Sequence, residues 1–424
     1  MQLIRSILVL LFTISTQYAA PQFTDFDAYQ ETTSRQEIES KINNYLLRNP
    51  TIGDFYTITD SELIMFTTPE KATPEFTLKF GAKQKPIRNI FKPNFNSDQP
   101  LAGLRVALDP GHLGGVMARI EDRFIDMKLA HKNNQHVQFD EGTLATATAK
   151  ILRSCLVQLG AKVLLTREEP GQPVYQLSFS EWCIQELKIT NENDWFDPKI
   201  QQTIINYLIA HGSSPEELNK RFDVTTLDKR VELIKQTLFR RCYNGYDLRA
   251  RAEKINAFAP HLTIIIHYNA MEVNDTSKAN YILTFIPGNF LKGELTTQQS
   301  HYEFLRLLLT DDLENSLALS STIAQTLNAT LNVPLQSKDN YQPEISRFVT
   351  DGVYCRNLAL TRLVQSPLCY GETLIQNNPE VAEQLADASV RFEDFYTPPR
   401  VVQVAQAYLL GIYNYLGLKN VQSL

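Results

Sequence analysis

The sequence predicts an α/β fold: a mostly parallel twisted sheet flanked by helices, with a small α+β N-terminal domain and a helical insertion. Three observations lead there. Residues 104–108 (LRVAL) are mostly apolar, of strand length, and read as a buried strand. Residues 141–159 repeat apolar side chains at helical spacing (Leu144, Ala147, Ile151, Leu152, Cys155, Leu159) and stop at Gly160. Residues 161–166 (AKVLLT) are a second strand-like run. Strand, helix and strand joined in this order make a βαβ unit, whose strands must run parallel.

The pattern then repeats. A helix is expected near 246–258, stopped by Pro260, and a strand at 262–266 (LTIII); a further short strand is expected at 366–371 (SPLCYG). Two insertions separate these parts. The first, at about 171–245, holds expected helices at 180–188, 198–211, 215–221 and 226–241, parted by NENDWFDP and HGSSPEE. The second, about 288–316, precedes a helix marked by Leu319, Ile323, Leu327 and Leu331. Stretches as long as the first usually cap a site or meet a partner, so a lid is one reading and a subdomain away from the site the other.

Ahead of this region, residues 22–85 are expected to form the small domain. Ile38, Ile42, Tyr45 and Leu46 give a helical pattern over 35–47, and FYTIT, ELIMFTT and EFTLKFG read as three short strands. Residues 86–100 are proline-rich and are expected to be a linker. The domain fits a targeting or binding module or a purely structural extension. Residues 1–20 carry Arg5, an apolar run from Ile7 to Phe12 continuing to Ile14, and small Ala19 and Ala20, the make-up of a secretory signal peptide. The apolar run is too short to span a bilayer, so no transmembrane segment is expected in the mature chain, which would be periplasmic or secreted.

Composition narrows the function classes. With 41 Lys and Arg against 47 Asp and Glu, the formal charge is −6, and no basic stripe exists to bind nucleic acid. The five cysteines (Cys155, Cys183, Cys242, Cys355, Cys369) are too scattered for a disulfide scaffold or a thiolate metal site. Cys155 and Cys369 read as small buried hydrophobes, while Cys183 and Cys242 share an insertion and could pair.

The candidate site lies at the carboxyl ends of the expected strands. Asp109-Pro110-Gly111-His112 follows the first, His267 follows the strand at 262–266, Glu372 follows the last, and Glu141 opens the intervening helix. That edge is where sites form in open α/β sheets, since loops converge there while helices cover the faces. Two histidines and a carboxylate, with a position left for water, are what a catalytic zinc requires, so the set points to a metallohydrolase. Each residue has a plainer reading alone: a hydrogen-bonded histidine, a first-turn acid at a helix dipole, a surface acid. Asp109 is expected to shape the DPG turn. His131 and His136, in the polar run HKNNQH, are rival ligands or members of a solvated loop; His211, His261 and His301 have no ligand-spaced partners and read as structural.

As an ordered set these residues resemble the zinc-dependent N-acetylmuramoyl-L-alanine amidases, which cut peptide stems from bacterial peptidoglycan. The resemblance covers roughly 104–170, 246–287 and 317–420. It is carried by Asp109-Pro110-Gly111-His112, Glu141, Arg167 in LLTRE, Arg251 and Asn256 in RAEKIN, His267 in IIIHYNA, and Glu372-Thr373 followed by Asn378-Pro379-Glu380. It implies His112, Glu141 and His267 as ligands of zinc (Zn2+) and Glu372 as the catalytic general base. It also implies a peptidoglycan or muropeptide substrate, with an activator or division protein as a further partner. Two departures bear on the pocket wall: Leu113 interrupts the usual histidine-glycine-glycine run, and Leu374, Ile375 and Asn377 replace a glycine, a phenylalanine and a serine. The stretch 113–140 is also longer than the family's. A zinc peptidase or amidase acting on another wall bond, and a non-catalytic wall-binding partner protein, stand as alternatives.

Overall fold

The computed structural model describes residues 22–47, 54–86, 91–95, 97–271, 279–337, 342 and 344–418. The signal peptide expected at 1–20 lies outside them, as does part of the linker expected at 86–100. Among the described residues, no helix is long and apolar enough to cross a membrane.

The N-terminal part contains helix α1 (Arg35–Lys41), which the Ser34 hydroxyl caps, and a π-helical turn at Ile42–Leu46. An antiparallel sheet follows, β1 (Tyr56–Ile58), β2 (Glu62–Phe66) and β3 (Pro74–Lys79). Next come β4 (Arg105–Pro110), the antiparallel hairpin β5 (Phe124–Leu129) and β6 (Gln135–Asp140), helix α2 (Glu141–Gln158) and β7 (Lys162–Leu165). HKNNQH straddles the hairpin turn, where Asn133 and Asn134 take positive φ of 54° and 59°, a backbone region asparagine tolerates well.

The first insertion is helical: α3 (Phe179–Leu187), α4 (Pro198–Ala210), α5 (Pro215–Phe222) and α6 (Leu227–Leu238). A π-helical turn, Phe239–Tyr243, joins α6 to α7 (Asn244–Phe258). The insertion has its own core of Trp182, Trp195, Ile204, Phe222, Phe239 and Tyr243, and Leu113 from the loop after β4 packs into it. Cys183 and Cys242 both lie in this core as free thiols, so the pairing allowed by their shared insertion is not formed.

The remainder is β8 (Leu262–Asn269), β9 (Leu283–Ile286), α8 (Gln298–Leu309), α9 (Asp312–Leu331), β10 (Arg347–Thr350), β11 (Val353–Cys355), α10 (Ala359–Leu363) and β12 (Leu368–Ile375). Helix α11 (Pro379–Ala386), the small hairpin β13 (Val390–Phe392) and β14 (Phe395–Thr397), and α12 (Pro399–Tyr415) complete it.

The large sheet has seven strands in the order β10-β11-β9-β12-β8-β4-β7, and the run β12-β8-β4-β7 is parallel throughout. Helices α2, α9 and α12 cover one face, packing Leu152, Ile323 and Ile412 onto Val106, Leu108 and Ile264. On the other face, Ala252 and Ile255 of α7 and Leu360 of α10 cover Ala107 and Ile265. A strand covered on both faces has apolar residues at nearly every position, which is why 106–108 and 264–266 read as unbroken apolar runs. The N-terminal sheet and α1 share one core with α8 and the sheet edge, through Ile38, Met65, Leu78, Phe304, Leu308 and Val353.

Two strands run further than the sequence suggests. β8 continues past His267 to Asn269, and β12 continues past Glu372 to Ile375. The reason is the parallel register, which pairs Glu372 with His267 before a local irregularity leads to Ile375 opposite Asn269. Ladder hydrogen bonds depend on backbone partners, so one polar side chain does not end a strand.

Candidate metal centre

The turn after β4 carries His112 to the start of α2. His112 has a left-handed backbone (φ 53°), uncommon for a residue with a side chain, so the turn needs external support. Buried Arg167 donates from Nη2 to the Gly111 carbonyl at 2.9 Å, and buried Arg251 donates to the Pro110 carbonyl at 3.0 Å. Arg251 also pairs with both carboxylate oxygens of fully buried Asp109, and the Thr166 hydroxyl donates to Asp109 Oδ1 at 2.6 Å. Asp109 therefore holds a buried ion pair rather than closing the DPG turn: its strand continues through Pro110, and its buried carboxylate is satisfied by Arg251 and Thr166.

Two close approaches complete the frame. A Cβ on Gly111 would lie 2.3 Å from His267 Cε1, and one on Gly142 would lie 2.4 Å from the Gly114 nitrogen. Glycine at both positions lets the turn touch the second histidine and the first turn of α2. The Asp140 carboxylate caps α2, accepting from Thr143 N at 2.8 Å, so Glu141 is the first helical residue and points from the helix end.

His112, Glu141 and His267 come together, each offering a ligand atom within 4.8 Å of the others. Glu141 Oε2 is 3.4 Å from His112 Nε2, and Glu141 Oε1 is 2.9 Å from His267 Nδ1. Ligands of one tetrahedral zinc, with bonds of about 2.0–2.1 Å, stand about 3.3 Å apart. The donor set therefore fits the ion. Burial lowers the His112 pKa well below the usual imidazole range, with Arg123 and His267 adding to the shift against the Glu141 charge, and a low imidazole pKa suits a metal-binding role. Burial would raise the Glu141 carboxyl, but the neighbouring imidazoles of His112 and His267 and the Arg123 guanidinium hold it below the usual carboxylate range.

The groups behind these three side chains are not legible in the sequence. Glu121, buried, lies with Oε1 3.4 Å from His112 Nδ1, while its Oε2 accepts from Leu113 N at 2.7 Å and Gly114 N at 3.0 Å. One carboxylate thus braces the turn and faces the far side of the imidazole, turning Nε2 toward Glu141, as outer partners of metal-binding histidines do. His267 stacks on Tyr370 with ring centroids 4.5 Å apart. Gln376 Nε2 donates to Glu141 Oε2 at 3.1 Å and to the Tyr268 carbonyl at 3.0 Å. Arg123 Nε donates to His112 Nε2 at 3.1 Å. Glu121 and Arg123 sit in the stretch 113–140, where no sequence periodicity marks them.

Glu372 lines the same cleft, a space of about 610 Å³ also bordered by His112, Glu141, His267, Asn269 and Tyr370. Burial, and then the Glu141 charge, push its carboxyl up to about 8. A carboxyl so placed can exchange a proton near neutral pH.

The other histidines stand elsewhere. His131 pairs with Glu383 at 2.8 Å and His136 pairs with Asp126 on the exposed hairpin, so neither rival reaches the ligand set. His301 is buried against Glu75 at 2.6 Å, and His261 Nδ1 accepts from Arg105 N at 2.9 Å. His211 stacks on Tyr207 at the end of α4.

No protein-family model matches the chain, and no curated protein matches it. Among solved structures, the chain is similar to the apo form of the N-acetylmuramyl-L-alanine amidase Ami1 from Mycobacterium abscessus, at 17% identity and TM-score 0.38 over 74% of this chain and 99% of that one. It is similar to the CwlD amidase from Clostridioides difficile, solved in complex with the GerS lipoprotein, at 18% identity and TM-score 0.38 over 74% of this chain and 99% of that one. It is also similar to Ami1 from Mycobacterium smegmatis, at 16% identity and TM-score 0.39 over 75% of this chain and 98% of that one.

Proposed function

We propose that the protein is a zinc-dependent N-acetylmuramoyl-L-alanine amidase, which hydrolyses the amide between N-acetylmuramic acid and the L-alanine of a peptidoglycan stem. The observation that carries this reading is the meeting of His112, Glu141 and His267 donor atoms within 4.8 Å in the cleft that Glu372 lines. The ordered motifs shared with the amidases supply the choice of bond.

His112, Glu141 and His267 would hold the ion. Zinc bound there supplies a positive charge that acidifies water and polarises a carbonyl. Glu372 takes the proton of the attacking water at its carboxylate and returns it to the departing nitrogen, which must be protonated to leave as an amine. Glu121 and Tyr370 keep the two imidazoles in position, and Gln376 does the same for Glu141. The products are the lactyl carboxylate of the sugar and a free peptide beginning with L-alanine. On this reading residues 1–20 direct export to the periplasm or medium, and the 171–245 insertion governs access to the cleft.

Mass spectrometry of soluble products from purified peptidoglycan treated with the zinc-loaded protein tests the assignment. Stem peptides with a free L-alanine amino terminus are expected. Peptides cut elsewhere would keep a zinc hydrolase and discard this bond; zinc-bound protein that binds wall without cutting it would indicate a wall-binding partner protein.

A further inference from the structure

Three arginines border the cleft from three separate stretches of chain. Arg123 precedes β5, Arg240 lies on the π-helical turn between α6 and α7, and Arg356 directly follows β11. The acids at hand neutralise them only in part. Asp122 stands 3.4 Å from Arg240, but its side chain is 59% exposed, where an ion pair has little net worth. Arg123 is 3.6 Å from Glu141 Oε2, an oxygen already committed to the metal ligand set. Arg356 lies over the Phe285 ring at 5.2 Å and pairs with no carboxylate among the described residues. Its charge is felt by Tyr370 and Glu372, so it belongs to the same cleft.

Gathering guanidinium groups is unfavourable without an anion between them. Burial, and then the Arg123 charge, lower the Arg240 pKa against the pull of Asp122, so these like charges do oppose each other. Arg240 also sits on a π-helical turn, a rare departure from α-helix that recurs at functional sites. All the cations lining the cleft are arginine, whose planar fork matches a carboxylate with two parallel hydrogen bonds.

We propose that Arg240 and Arg356, assisted by Arg123, form a carboxylate-binding subsite that receives the acidic peptide of the substrate. The side of the substrate follows from its chemistry, and this step rests on the amidase reading above. In a muramoyl peptide the sugar presents hydroxyl and acetamido groups, and its lactyl carboxyl is consumed in the scissile amide. Free carboxylates remain on the peptide alone. The helical insertion thereby has a binding role, because it delivers Arg240 to the cleft.

The test compares N-acetylmuramoyl-L-alanyl peptides that differ only in carrying free carboxylates or carboxamides after the alanine. The zinc-loaded protein should favour the free acid by about ten-fold in kcat/KM, through KM, the effect of one charge-assisted hydrogen-bonded contact. Arg240→Gln and Arg356→Gln should each erode that ratio toward one, and Arg356→Lys should keep more of it than Arg356→Gln. A ratio near one in the unsubstituted protein, or one the substitutions leave intact, would overturn the subsite. Calorimetric binding of the acidic peptide alone to the zinc-loaded Glu372→Gln protein separates the two ideas. Binding that Arg240→Gln abolishes, with neither muramoyl substrate cut by the unsubstituted protein, keeps the subsite and removes the amidase assignment. Equal cutting of both substrates keeps the assignment and removes the subsite.

Discussion

Glu372 and His267 are register partners on neighbouring parallel strands, so a carboxyl group and an imidazole stand side by side near the carboxyl edge of the sheet. Both precede the last residues of β12 and β8, and ladder hydrogen bonds hold their backbones. Side chains set on strands are more firmly placed than side chains on loops. The two side chains to which the proposal gives metal binding and proton transfer are thereby kept in fixed relation without a dedicated loop.

That relation separates their roles in a substitution experiment. Glu372→Gln preserves size and hydrogen bonding but cannot take a proton, so turnover should fall by about 10²–10⁴-fold with zinc still bound. His267→Ala removes a ligand and should lose both. Rates measured beside metal content by atomic absorption check this; near-normal turnover by Glu372→Gln would remove it as the base.

Glu121 should act on metal affinity. Its Oε1 faces His112 Nδ1 at 3.4 Å, and outer partners of this kind are worth about 10–100-fold in affinity. Glu121→Gln keeps an acceptor for the Leu113 and Gly114 amides and removes the charge beside the imidazole. Competition with a chromophoric chelator measures the zinc constant directly; an unchanged constant would leave Glu121 a turn brace only.

The Asp109–Arg251 pair sets stability and its acid limit. Arg251→Ala strands a buried carboxylate and should cost about 3–5 kcal/mol, whereas replacing both residues with apolar ones of similar volume should cost far less. Burial alone would raise the Asp109 pKa, but Arg251, Arg167 and Thr166 outweigh it and the folded value lies below the usual carboxylate range. The pair's contribution is thus present above the ordinary aspartate pKa and is lost as pH falls through the depressed folded value. Urea unfolding across the acid range should show the protein losing stability relative to the double variant as pH falls from the ordinary aspartate pKa through that depressed value, while the double variant lacks this loss.

Metal removal should loosen the fold measurably. Any ion bound by the folded state alone stabilises it, by about 2.7 kcal/mol at a free concentration one hundred times its dissociation constant. Chelator treatment should lower the melting temperature and added zinc should restore it; His112→Ala should abolish that response while melting close to the chelated protein.

Much of this was written in local sequence. Apolar runs at 106–108 and 264–266 announced β4 and β8, because strands covered on both faces have few polar positions, AKVLLT announced the edge strand β7, and the 3.6-residue spacing up to Gly160 announced α2. The bounds of β8 and β12 were less legible, since a ladder is fixed by its neighbours. The rivalry of His131 and His136 was settled by surface acids, one of them Glu383, far along the chain.

The sequence by itself determined the alternation of strands and helices, and hence a parallel sheet whose carboxyl edge collects His112, Glu141, His267 and Glu372, because periodicity and turn chemistry act over a few residues. Only the tertiary structure decided what surrounds them. Glu121 behind His112, Tyr370 against His267, Arg251 on Asp109 and Arg240 reaching the cleft from the insertion are contacts chosen by packing and by the need to satisfy buried charge. Those forces act between residues far apart in the chain, so no local pattern records them.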